Sequence, residues 1–223
     1  MGDRKVLLPG RWRTAWGFAA TAWGFAALTV IAATVFVPQS TAHADGCAAV
    51  DVVVARGTGE PGWLGNEIGD PLFGMLLDRL PVSVSAYSVN YPADYSFNVG
   101  AGSADLVGHM ESQAAACPGQ EFVVIGYSQG AAVVHAALGT GAVTWYPGRV
   151  QLPDYLSGRI AAVLLFGDPV RGLGWNVPGQ FLSRTGDWCV GGDPVCGSGT
   201  DANAHVAYGS DLVAAANFAA DRI

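Results

Sequence analysis

The residues best suited to chemistry are one serine, one histidine and a small set of aspartates. Ser128 stands in "GYSQG", Gly126 to Gly130, directly after the apolar run Phe122 to Ile125 and directly before a small-residue stretch at Ala131 and Ala132. A G-x-S-x-G between a strand and a helix makes a sharp turn that leaves the serine hydroxyl exposed above the sheet. That hydroxyl is a poor nucleophile unless a base takes its proton and an acid orients the base. Three histidines lie beyond residue 44. His109 falls inside an amphipathic helical pattern, and His135 is seven residues past Ser128, about two helical turns from the elbow. His205 follows a Gly-rich loop and precedes the last helical pattern, so it is the candidate base.

Three carboxylates follow late strand patterns: Asp168, Asp187 and Asp193. Asp193 precedes His205 by 12 residues and lies within "CVGGDPVC", where Cys189 and Cys196 enclose Gly191, Gly192 and Pro194. A disulfide across so short a segment leaves it few conformations and holds the carboxylate in place before substrate arrives. Asp193 is therefore the candidate acid. Asp168, in "LFGDP", is the alternative if the staple only stabilises an exposed turn. Acyl transfer also needs donors for a tetrahedral oxyanion. The backbone N–H of Gln129 is one candidate and that of Thr58, in "ARGTGE", the other, with the Thr58 hydroxyl as a further donor.

The elements that must position these residues are legible as alternating patterns. Strand patterns occur in "AAVDVVVARG", "VSVSAYSVNY", "EFVVIGYS", "RIAAVLLFGDP" and a short "RTGDWCV". Helical patterns occupy "EIGDPLFGMLLDRL", "SADLVGHMESQAAA", "QGAAVVHAALGT" and, at the end, "HVAYGSDLVAAANFAADRI". Apolar strands separated by helices predict an α/β fold with a parallel sheet covered on both faces. Ligands of such sheets bind beyond the carboxyl ends of the strands, where these loops lie. The order Ser128, Asp193, His205 is also the order in which such a triad follows along an α/β chain.

The first 44 residues have a different character. Arg4, Lys5, Arg11 and Arg13 precede an apolar run from Trp16 to Val37, within which "TAWGFAA" occurs twice in succession. Ala42-His43-Ala44 then fits a signal-peptidase site. Residues 1–44 read as an export signal cleaved after Ala44, the alternative being a retained anchor, since the run is long enough to span a bilayer. Residues 45–223 form one domain with seven arginines, no lysine and 17 acidic residues, a net charge of −10. That charge argues against nucleic acid or an anionic membrane surface as partner. The domain has no second apolar run of spanning length, so no stable membrane insertion is expected of it.

All four cysteines follow the predicted cleavage site, and an exported chain with an even count is expected to form disulfides. Of the three possible pairings, Cys47–Cys117 with Cys189–Cys196 is favoured. A zinc site is the competing use, but six residues between Cys189 and Cys196 exceed the spacing of a zinc knuckle, and no paired histidines complete one.

Together, "ARGTGE", "VNYPA", "GYSQG", "LFGDP" and "CVGGDPVCGSGTDANAHVAY" resemble the cutinase family, most closely its secreted mycobacterial branch. The last segment is the most specific, because it sets cysteine, acid, cysteine and histidine in one run. The resemblance covers essentially all of residues 45–223. It implies a lidless α/β-hydrolase with five central strands, a triad of Ser128, Asp193 and His205, an oxyanion hole at Thr58 and Gln129, and the same two disulfides. It further implies a secreted or envelope-associated serine esterase acting on lipid or carboxylic esters. Two-step acyl transfer by such a triad needs neither metal nor organic cofactor, and a monomer is expected. Leu173, Trp175, Val177, Phe181 and Leu182 are candidates for an acyl-binding wall or, equally, for ordinary packing. The same triad would serve an acyltransferase, a phospholipase or a thioesterase. A secreted non-catalytic antigen with a vestigial site is the reading from another class.

Overall fold

A computed structural model describes residues 46–223. The leader, its duplication and the cleavage site after Ala44 lie outside the described residues. Five strands form one parallel sheet: β1 (Val50–Ala55), β2 (Val84–Ser88), β3 (Glu121–Tyr127), β4 (Ile160–Phe166) and β5 (Thr185–Trp188). Their order across the sheet is β2-β1-β3-β4-β5. The chain moves outward from β1 to β2, then returns to place β3 on the other side of β1. The loops leaving β1 and β3 therefore part in opposite directions, which opens a crevice at the carboxyl end of the sheet. Those two loops carry Thr58 and Ser128.

Alternation along the strands divides the core. Val53, Val124, Val163 and Leu165 face α2 (Val99–Ala116) and α3 (Gln129–Leu138). Val52, Val54, Ile125 and Leu164 face α1 (Gly69–Arg79) and α6 (Leu212–Ala220). On α1, Leu72 and Leu76 are one turn apart and wholly buried, each contributing roughly 2 kcal/mol of apolar burial. Two single-turn helices, α4 (Asp154–Ser157) and α5 (Pro169–Gly172), complete the regular elements.

Two boundaries differ from the sequence expectation by four residues or more. Helix α2 starts at Val99 rather than Ser103, because Val99, Gly100 and Gly102 pack into the core and extend its buried face by a turn. The last helix starts at Leu212, not His205. Residues Ala202–Val206 and Tyr208–Ser210 form 3-10 turns instead, the first capped by the Asp201 side chain on the Asn203 N–H. Those turns bring His205 back over the sheet.

Both disulfides form as favoured. Cys47–Cys117 ties the segment before β1 to the end of α2, and Cys189–Cys196 closes the loop after β5. Among the described residues no helix is long and apolar enough to cross a membrane.

Candidate active site

Ser128 sits between β3 and α3 with φ 54° and ψ −117°, a backbone region that costs a non-glycine residue about 1–3 kcal/mol. The turn is tight enough that a side chain at Gly130 would lie 1.9 Å from the Ala55 carbonyl oxygen. Only glycine lets the start of α3 press against the end of β1. The Ser128 N–H donates to the Phe166 carbonyl at 2.9 Å, which anchors the elbow to β4.

The Ser128 Oγ lies 2.9 Å from His205 Nε2, and His205 Nδ1 lies 2.8 Å from Asp193 Oδ2. With Nδ1–H donating to the carboxylate, Nε2 is left as the acceptor for the serine proton. Asp193 is fully buried and His205 only partly so, its side chain 17% exposed. The carboxylate has two further donors: the Tyr208 hydroxyl at 2.5 Å on Oδ2 and the Val195 N–H at 2.7 Å on Oδ1. Burial by itself would raise the Asp193 pKa. The hydrogen bonds from Tyr208, His205 and Val195 outweigh it and hold the carboxyl below its usual range. The Tyr208 hydroxyl is pushed upward by burial and by Asp193, so it stays a donor.

His205 is held from its backbone as well. The Tyr127 hydroxyl, from the residue before Ser128, donates to the His205 carbonyl at 2.6 Å. On the other side of Ser128, the Thr58 hydroxyl donates to Gln129 Oε1 at 3.3 Å, and Gln129 Nε2 donates to the Asp94 carbonyl at 3.1 Å. The Thr58 hydroxyl is thus directed at Gln129 rather than into the crevice. Among the described residues, neither the Thr58 nor the Gln129 backbone N–H donates to a protein acceptor.

All three described histidines pair with an aspartate, and only His205 also reaches a serine hydroxyl. His109 Nε2 meets Asp51 at 2.6 Å, and its ring stacks on Tyr87 at 3.6 Å. His135 lies between Thr140 and Asp168, at 2.8 and 2.9 Å, with 1% of its side chain exposed. Asp168, the competing acid of the sequence reading, is thus spent on His135 and on capping α5 through the Val170 and Arg171 N–H groups.

Asp187 pairs with Arg171 at 3.4 Å and lines a cavity of about 90 Å³ with His135 and Asp168. Its Oδ1 is buried without a partner. Burial, then the charge of Asp168, pushes its pKa up to about 6. A carboxyl raised from about 4 when unfolded binds more protons when folded, so its contribution to stability falls as pH rises from about 4 through 6. Asp187→Asn is expected to remove that dependence and to add about 1–2 kcal/mol at neutral pH, after discounting for its partial exposure and lost Arg171 contact. Urea unfolding of both proteins at several pH values measures it.

The suggested acyl wall separates in two. Val177 and Phe181 are core residues, whereas Leu173, Trp175 and Leu182 are each at least half exposed. Exposed apolar side chains also occur at Tyr95 and Phe97, just past Asp94, and at Val206, beside His205.

The cutinase family model matches residues 46–223. The chain belongs to the cutinase family. It is 38% identical over 222 residues to the phospholipase Culp4 of Mycobacterium tuberculosis, covering 96% of each chain. It is 36% identical to the carboxylesterase Culp1 of the same organism, over 82% of this chain and 85% of that one. Trichoderma reesei cutinase in complex with a C11Y4 phosphonate inhibitor superposes with a TM-score of 0.65 at 31% identity, over 78% of this chain and 76% of that one. The five-stranded sheet of this cutinase-family chain is that of an α/β-hydrolase. Three residues at its site carried no assigned role in the sequence reading: Tyr127, Tyr208 and Glu60. All three lie inside quoted motifs, but nothing local says what a tyrosine hydroxyl or a glutamate carboxylate will reach.

Proposed function

We propose that this member of the cutinase family, a carboxylic ester hydrolase, cleaves lipid or carboxylic esters through Ser128, His205 and Asp193 by way of an acyl-enzyme. The observation that carries this reading is the unbroken run from the Ser128 hydroxyl through the His205 ring to a buried, three-donor Asp193 carboxylate. Ser128 attacks the ester carbonyl as Nε2 of His205 takes its proton, and Asp193 stabilises the imidazolium that forms. The backbone N–H groups of Gln129 and Thr58 receive the oxyanion. The alcohol leaves with the proton from His205, and water then releases the acid by the same route. None of these steps calls on a metal or an organic cofactor.

The apolar side chains exposed beside the site, Tyr95 and Phe97 just past Asp94 and Val206 next to His205, favour an acyl chain over a small polar acid. Phospholipids, the class that the name of Culp4 states for that relative, present such an ester. Export after Ala44 accords with two disulfides, which persist in oxidising compartments, and an N-terminus at Asp45 in protein released by cells would establish it. The domain is proposed to act as a monomer.

The testing experiment is hydrolysis of p-nitrophenyl esters from acetate to palmitate, together with labelling by a fluorophosphonate probe. Turnover, with the label on Ser128, is the expected result. The chain-length optimum then distinguishes a short-chain esterase from a lipase, and capture of the acyl group by added alcohol in preference to water would identify an acyltransferase. A folded, oxidised protein that neither turns over nor labels would overturn the reading in favour of a vestigial site.

A further inference from the structure

The loop between β1 and α1 wraps around a carboxylate that takes no part in the chemistry above. Glu60 is buried, yet among the described residues no arginine or histidine forms an ion pair with it. A buried carboxylate without a counter-ion is costly unless dipoles hold it. Here backbone N–H groups do so: Oε2 accepts from Gly57 at 2.7 Å and Oε1 from Glu67 at 2.8 Å. Gly65 passes close against the carboxylate, since a side chain there, where φ is +102°, would lie 2.5 Å from Glu60 Oε2.

Glu60 also grips the same turn through its backbone. Its own N–H donates to the Gly57 carbonyl at 3.2 Å, and the Gly59 N–H donates to the Ala93 carbonyl at 2.7 Å. The Gly57 carbonyl and the Thr58 N–H belong to one peptide plane and, in a trans peptide, point in opposite directions. Holding the Gly57 carbonyl inward, toward the Glu60 N–H, therefore turns the Thr58 N–H outward. With the Gly57 N–H fixed by the carboxylate, both peptides flanking Gly57 are pinned, and the Gly57–Thr58 peptide cannot flip while both bonds hold.

We propose that Glu60 is a positioning residue for ester hydrolysis, holding the Gly57–Thr58 peptide so that the Thr58 N–H faces the developing oxyanion. The proposal rests on the reading of Ser128 and Thr58 given above. A flexible glycine turn without this clamp would have to order the donor during each reaction, whereas a donor fixed beforehand needs no reorganisation when charge develops.

Glu60→Gln keeps the size of the side chain but supplies only one acceptor oxygen, so an NH₂ group opposes one of the two backbone N–H donors. The variant is expected to lose roughly 10–100-fold in kcat on a short soluble ester, with KM within about threefold of wild type. Its affinity for a trifluoromethyl ketone, which forms a tetrahedral oxyanion on Ser128, should fall by the same factor as kcat/KM. A folded Glu60→Gln protein with a lower Tm but wild-type kcat and ketone affinity would make Glu60 merely structural and overturn the proposal. If that variant does not fold, hydrogen exchange in the wild-type protein decides. Protected Gly57 and Glu67 amides support the clamp, and rapid exchange at both overturns it. A failure of the underlying reading would show separately, as wild-type protein that does not bind the ketone.

Discussion

Ser128→Ala is expected to lower kcat on p-nitrophenyl esters by about 10⁴-fold or more, with KM changed little. The alanine removes the only atom that bonds to the acyl carbon and leaves the donors at Thr58 and Gln129 in place, so ester binding should persist. The fold should persist as well. Alanine occupies φ 54° no less readily than serine, and the elbow is held by backbone contacts, the Ser128 N–H to Phe166 and the close approach of Gly130 to Ala55. Circular dichroism and urea unfolding should place its stability within about 1 kcal/mol of wild type. Wild-type turnover from a folded Ser128→Ala protein would sink the assignment of the nucleophile, whatever happens at the other positions.

The second large effect is expected at the acid. Asp193→Asn should reduce kcat by roughly 10³–10⁴-fold near neutral pH. An asparagine amide can donate to Nδ1 of His205, and a histidine that accepts there carries its proton on Nε2, facing the Ser128 hydroxyl it is meant to deprotonate. The substitution also disturbs the other donors. Tyr208 and Val195 both donate to the carboxylate, and with His205 they leave one side-chain oxygen too few, so about 1–3 kcal/mol of stability should be lost as well. Asp168→Asn separates the two acids that the sequence left in competition. That change should destabilise the protein through buried His135 and the cap of α5, while kcat stays within a few-fold of wild type. Steady-state kinetics on the two variants, each normalised by titration of active serine with the fluorophosphonate probe, gives the answer. A silent Asp193→Asn beside a dead Asp168→Asn would reverse the assignment.

The stapled loop links these predictions. Between Cys189 and Cys196 the backbone closes a turn in which the Asp193 N–H donates to the Val190 carbonyl at 3.1 Å. Tyr208 bears on the same loop, its hydroxyl 3.3 Å from Cys196 Sγ and 3.4 Å from the Val190 N–H. Asp193 is therefore fixed by a covalent loop, a turn and a buried tyrosine, the geometry that the proposed role as acid calls for.

Local pattern carried much of this protein in its sequence. Strand order along the chain, the alternation that buries both faces of the sheet, the elbow at Ser128 and the short disulfide loop all depend on residues within a few positions of one another. Periods of 2 and 3.6 residues and a glycine-bounded serine are visible at that range. Tertiary structure decided the pairings. Asp168 and Asp193 both follow strands and both precede His205, and only the packing of α3 against α5 gives Asp168 to His135, 33 residues back. The return of His205 over the sheet, in 3-10 turns where a helix was expected, sets it against Ser128, 77 residues away. Tyr127, Tyr208 and Glu60 have roles only because distant backbone groups arrive beside them. A hydrogen bond is made or lost within about half an ångström, and separations that fine are set by the sum of many packing contacts across the fold, which no stretch of neighbouring residues contains.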